Sequence, residues 1–139
     1  MLKINGTKIL LTRGDKGTIT LKLKPKTQDN EYVLNSDDVI SFAVYNKKAF
    51  DKEPLLSKEV IISEATNVVD ISLDSEDTKI GEIENKPIDY WYEIQLNHEQ
   101  TIVGYDDIDG PKILTLYPEG SDVKWIMSLM SKCLIMKLK

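Results

Sequence analysis

Four places in this chain carry side chains whose types and spacing could do chemistry. Arg13-Gly14-Asp15 is the tripeptide that integrin-binding proteins display on a loop. "YDDIDG", Tyr105 to Gly110, gathers Asp106, Asp107 and Asp109, oxygens that could hold calcium. His98 in "LNHEQT" is the single imidazole, and Cys133 the single thiol. Each also has a plainer reading. Gly14 and Gly17 supply the backbone freedom of a strand-to-strand connection, with Asp15 bonding nearby amides. Short motifs match by chance often, so the turn reading is favoured. After Gly110 come Pro111, Lys112 and Ile113, where a helix-loop-helix calcium site needs further oxygens and a distal glutamate. A solvated Asp-Gly hairpin turn fits better, with a weak surface cation site at Asp106–Asp109 left open. Nucleophilic catalysis at His98 would need a Ser or Cys held against it and an orienting acid. There is no G-x-S-x-G elbow, and neither glycine-rich phosphate-loop signature occurs. Cys133 lies in an apolar stretch where a thiol is usually inert packing. The expectation is a non-enzymatic protein without cofactor or bound metal.

Composition sets the frame for these residues. At 139 residues, 41% hydrophobic and 29% charged, the chain is the size of one ordinary globular domain. One cysteine excludes an internal disulfide and a cysteine zinc cage. No apolar run reaches the length of a membrane span, and "MLKINGTKIL" has no signal-peptide core, so synthesis in the cytoplasm is expected. The net charge of −5 is segregated. Residues 61–120 carry three lysines against fourteen carboxylates, a net −11, while residues 1–60 and 121–139 each carry +3. That balance argues against nucleic acid, which wants a concentrated basic face. It permits acidic and basic faces of neighbouring subunits to meet.

The dominant period is two. In "TITLKLK", Ile19, Leu21 and Leu23 point one way and Thr18, Thr20, Lys22 and Lys24 the other. "KILLT", "VISFAVY", "LLSKEVIIS", "VVDISL", "IDYWYEIQL", "TIVGY" and "KILTLY" are further strands, bounded by Pro, Gly, Asn or Asp. About eight short strands at regular spacing predict an all-β sandwich. "DSEDTKIGEI" could hold one helical turn capped by Asp74 or Ser75. Residues 1–120 are expected to form the β domain, and residues 121–139 an apolar, helical or extended C-terminal tail. In that tail Ile126, Leu129, Cys133 and Met136 follow 3-4-3 spacing, widened by Trp125 and Met130. Such a stripe either folds back on the domain or meets another chain. On "IDYWYEIQL", Tyr90, Tyr92, Ile94 and Leu96 share one face, and Trp91 shares the other with Glu93 and Gln95. A tryptophan among polar neighbours on a sheet face marks either contact with a partner or cover from the same chain, for which Trp125 is a candidate.

The order of these features resembles a known family. "RGDKG", the alternating strand, "YVLNSDDVISFAVY", "LLSKEVIIS", "VVDISLDSEDT", "DYWYEIQL", a hairpin and "KILTLYPEG" follow one another over residues 8–120. This resembles the small N-terminal β-sandwich domain of baseplate upper proteins, and related tail-associated domains, in phages and prophages of Gram-positive bacteria. The most specific points are Gly14-Asp15 before the alternating strand and the Ile40, Phe42, Val44 stretch. The resemblance implies an immunoglobulin-like sandwich that docks tail components, without catalytic residues. It implies a virion-tail location and, as partners, other tail proteins or copies of itself in a homo-oligomer, with neither nucleic acid nor membrane. Longer members continue into coiled coil and receptor-binding regions, so a chain with only a short tail is expected to be an accessory or connector part. The interface residues expected are Trp91, Glu93, Trp125, Ile126, Leu129, Met130, Cys133 and Met136. The competing expectation is a carbohydrate- or ligand-binding module using an exposed aromatic and the Asp106–Asp109 acids.

Overall fold

The computed structural model describes residues 1–23, 33–47 and 53–119. The tail expectation, with Trp125, Ile126, Leu129, Met130, Cys133 and Met136, lies outside the described residues. Nine strands are seen: β1 (Leu2–Asn5), β2 (Lys8–Thr12), β3 (Gly17–Lys22), β4 (Val39–Tyr45), β5 (Leu56–Ile61), β6 (Val68–Leu73), β7 (Ile88–Leu96), β8 (Gln100–Val103) and β9 (Lys112–Tyr117). The described chain is all-β and mostly antiparallel, with no helix among the described residues. The larger sheet runs β1-β2-β9-β7-β4-β5, with β8 pairing β7; the smaller is β3-β6. Among the described residues the one parallel pairing joins β2 to β9, with Ile9 opposite Leu114 and Leu11 opposite Leu116.

Both sheets bury their apolar positions in one core. Ile19, Val69, Ile71 and Leu73 come from the small sheet; Ile9, Leu11, Ile40, Phe42, Val44, Tyr92, Ile94 and Leu114 come from the large one. The alternation read in β3, β6 and β7 is the physical cause, because successive side chains leave opposite faces of a strand. β7 buries Tyr90, Tyr92, Ile94 and Leu96 and keeps Trp91, Glu93 and Gln95 on its other face. Phe42 sits at the centre with its ring 5.7 Å from that of Tyr92. The Tyr92 hydroxyl donates to the Thr7 carbonyl, so the polar end of this core side chain is satisfied, as burial demands. Burial pushes its phenol up to about 12.

Two local expectations change. β1 is an unanticipated strand, folded onto β2 through Gly6 and Thr7, with Asn5 opposite Lys8. Gly6 has φ +63° at the first central position, the position where a type II′ hairpin turn takes glycine. The helical turn expected from Asp74 does not grow into a helix. Asp74 and Asp77 cap each other's amides, each at 2.9 Å, the reciprocal pattern of a helix start. The chain then turns extended because Thr78 and Ile80, two residues apart, both point into the core. The Thr78 hydroxyl donates to the Asp15 and Ser75 carbonyls at 3.0 and 3.2 Å, tying this turn to the β2–β3 connection.

Candidate functional site

The RGD tripeptide is a joint of the fold. It forms the turn that carries the chain from β2 in the large sheet to β3 in the small one. The Asp15 amide donates to the Thr12 carbonyl at 3.1 Å, and the Arg13 amide to the Tyr117 carbonyl at 2.9 Å. Gly14, third residue of that turn, has φ +85°, the geometry of a type II turn. A Cβ there would overlap the Glu119 carboxylate. The Asp15 carboxylate takes the Met1 amine. The tripeptide's backbone and acid are thus engaged in holding the ends of β2 and β9, the chain just before β1 and the approach to β3 together.

His98 is positioned by another turn. Asn97 and His98 have φ +53° and +57°, and the Glu99 amide donates to the Leu96 carbonyl at 3.0 Å. Two left-handed residues in succession make the type I′ turn that suits a hairpin, here β7–β8. The Asn97 side chain accepts from the Val39 amide at 2.8 Å and donates to Asp38 at 3.1 Å. That bond, with the Asn35 amide, holds the Asp38 carboxyl below the usual range. His98 Nε2 lies 2.9 Å from Glu59 Oε1, both more than half exposed. Its near neighbour is therefore an acid on a neighbouring strand. Cys133 lies outside the described residues.

The aspartate turn is organised around a lysine. Asp106 Oδ1 accepts from the amides of Ile108 and Asp109 at 2.8 and 2.5 Å, and Oδ2 accepts from Lys112 Nζ at 2.7 Å. Lys112 lies on the inward-facing register of β9, opposite Tyr92, and its side chain is only 9% exposed. Its ammonium also stands 3.9 Å from Asp109. Lys112, then the two amides, hold the Asp106 carboxyl down to about 2. A protein ammonium thus already neutralises Asp106 and stands near Asp109. No cluster of potential metal ligands occurs among the described residues.

Trp91 and Glu93 do share the outer face of β7, as their spacing predicts. Trp91 lies in register with Tyr45 of β4 and Ile113 of β9. The Tyr45 hydroxyl donates to Glu93 at 3.2 Å. Desolvation first, then the Glu93 charge, raises the phenol of Tyr45. What sequence reasoning missed is Tyr105. Its ring meets Trp91 at 6.2 Å between centroids and 68° between planes, the edge-to-face contact aromatic pairs prefer. Tyr105 remains 62% exposed, and Ile108, at the tip of the same turn, 88%. The signal for Ile108 was legible: an isoleucine between aspartates of a turn has no strand face on which to hide. The Trp91–Tyr105 meeting joins the middle of β7 to a residue beyond the end of β8, outside the paired register, so strand alternation alone did not point to it. The arrangement can offer a partner a fixed apolar knob beside an acidic turn.

No family model matches this chain, and neither a curated protein nor a solved structure resembles it significantly.

Proposed function

We propose that the protein is a non-enzymatic structural subunit that works through protein–protein contacts, of the kind used in phage or prophage tails and baseplates, with an immunoglobulin-like sandwich as its body. The observation that carries the docking reading is the turn 105–110. It is fixed internally by the Asp106 carboxylate, yet it exposes Ile108 at its tip and Tyr105 against Trp91. Preorganised apolar groups on a rigid turn lose little entropy on binding. The strand order supports the sandwich. β3 pairs β6, while β4, β7 and β9 pair in that order in the other sheet, as strands B with E and C-F-G do in immunoglobulin domains. The tail-subunit assignment rests on the order of sequence features over residues 8–120. The expected partners are other tail proteins or copies of this chain, and the expected setting is a virion tail assembled after synthesis in the bacterial cytoplasm.

A second reading has its own support. The exposed aromatic and the Asp106–Asp109 acids are adjacent, which is what a carbohydrate- or ligand-binding surface would require. Light scattering on the full chain, on Ile108→Asp and on a truncation ending at Gly120 tests the docking proposal. Self-association that Ile108→Asp weakens is expected for a homo-oligomer that uses the turn. A full chain that stays monomeric and captures no tail protein in the presence of its neighbouring gene products would overturn it.

A further inference from the structure

The small sheet has an unfinished side. Among the described residues, β6 pairs only with β3. The hydrogen bonds next to it fix which backbone groups point away. The Leu23 amide donates to the Asn67 carbonyl at 2.9 Å, so Asn67, Val69, Ile71 and Leu73 address β3. Thr66 exchanges both of its backbone bonds with Leu34, at 2.7 and 3.1 Å, on the opposite side. By the period of two, Val68, Asp70 and Ser72 present their N–H and C=O groups on that same side. The Thr66 hydroxyl attends to the Val68 amide and carbonyl at 3.1 and 3.2 Å. Asp70 and Ser72 have no backbone partner among the described residues.

Beside this edge runs a groove of about 260 Å³ between the ends of β5 and β6. Val60, Ile62 and Val68 give it apolar surface, and Glu64 and Asp70 border it. Farther along β6 the charges are mixed, with Asp74 near Lys16 and Lys58, and Asp77 paired to Lys58 at 3.0 Å, so the acidic stretch is the one at Glu64 and Asp70. An exposed row of unpaired backbone groups is a template for another strand. The Leu34–Thr66 bridge shows that this edge accepts antiparallel pairing. We propose that the edge of β6 that has no partner among the described residues takes up an extended strand from a partner protein, with lysine or arginine at alternate positions and apolar residues between them. The apolar side chains enter the groove, while the cations meet Asp70 and Glu64. Main-chain bonds supply the affinity and the alternation supplies the selectivity. The inference names the partner chemistry for the docking reading and rests on that reading for its role.

Amide exchange by NMR on the full chain tests it, with the peptide Ac-Thr-Lys-Val-Lys-Val-Lys-Thr-NH2 as probe and the same peptide with glutamate for lysine as control. At saturating lysine peptide the Asp70 and Ser72 amides are expected to exchange about tenfold or more slowly, while Val69, Ile71 and Leu73 are unchanged. The glutamate peptide is expected to do nothing. Ser72→Pro removes one outward amide without touching the β3 ladder and should abolish the effect. Asp70→Lys, which keeps the backbone, should weaken it if the proline variant fails to fold. Three results would overturn the proposal: no slowing with the lysine peptide, equal slowing with both peptides, or Asp70 and Ser72 as protected as Ile71 without any peptide. Peptide capture is read at the β6 amides and does not depend on self-association through the turn 105–110, so its failure leaves the light-scattering result standing, and a monomeric chain that captures the peptide separates the two the other way.

Discussion

Replacing Gly14 by alanine decides whether the RGD tripeptide is shaped by folding. Gly14 holds φ +85°, where an L-residue with a Cβ loses about 1–2 kcal/mol. The new Cβ would also overlap the end of the Glu119 side chain and come within 3.4 Å of Lys79 Cε. Both neighbours are far ends of flexible side chains, so they can swing aside and the backbone term dominates. The expected loss is about 1–3 kcal/mol. Gly14→Asn should lose less, since asparagine tolerates left-handed φ. Urea unfolding followed by tryptophan emission reads the difference. With a slope of about 1–3 kcal/mol per molar, the alanine midpoint should fall by about 1 M. An alanine variant within about 0.5 kcal/mol of the parent, or an asparagine variant no better than alanine, would refute the turn geometry. The tripeptide would then be conformationally free, and the integrin-loop reading would return.

Other perturbations test the core and the aspartate turn. Phe42→Ala empties the centre of the shared core, where Phe42 is fully buried, and should cost about 3–5 kcal/mol by the same unfolding measurement; a loss under 1 kcal/mol would mean that the sheets do not share that core. Asp106 has its carboxyl held down to about 2 against an ordinary 3.8. A depressed carboxyl contributes stability that is complete above about pH 4 and lost as pH falls toward 2. Asp77 adds to the same limb: burial pushes it up, but the Asp74 amide and Lys58 outweigh that and lower it. Asp106→Asn should therefore flatten the fall in urea midpoint between pH 4 and 2.5, and an unchanged slope would contradict the Lys112 pairing. Lys112→Met should raise the Asp106 carboxyl, visible as a shift of its NMR titration midpoint.

Most of the strands were legible because period-two alternation has one cause, a buried face and a wet face; β6 and β7 show it without interruption, while Ser41 in β4 and Thr115 in β9 are buried between buried neighbours. β1 escaped although Asn5-Gly6-Thr7 is a hairpin signal, since only four residues precede the turn. The Asp74 cap was read correctly as a helix start, but a cap nucleates only a turn. Continuation is settled by packing, and Thr78 and Ile80 pack at strand spacing. Pairings distant in sequence were out of reach. That β2 lies parallel to β9, and that Lys112 turns from the core register to meet Asp106, follow from how two sheets close over Phe42, which no local window contains. Trp91 and Glu93 were placed on the correct face for a local reason. What covers Trp91 was not, because Tyr105 lies beyond the end of β8, where strand alternation no longer assigns a face.

The geometry of Trp91 also bears on the two functional readings. A sugar platform works by laying a ring face flat against the faces of pyranose rings, so the aromatic plane must be open to solvent. Trp91 is half-buried, and Tyr105 stands at 68° to it. The two rings form a corner, with no common plane to offer. A corner of this kind, with the Asp106 turn continuing from Tyr105, suits a protein side chain inserted against it better than a flat sugar. In a Trp125→Phe background, where Trp91 alone reports, Tyr105→Ala should open the Trp91 face and red-shift its emission. On the docking reading this variant loses partner affinity, and maltoheptaose or soluble peptidoglycan fragments leave the emission of the unmutated corner unchanged. Saturable quenching by either sugar with Tyr105 present would reverse the preference, because it would show that the corner itself accommodates the ring of a saccharide.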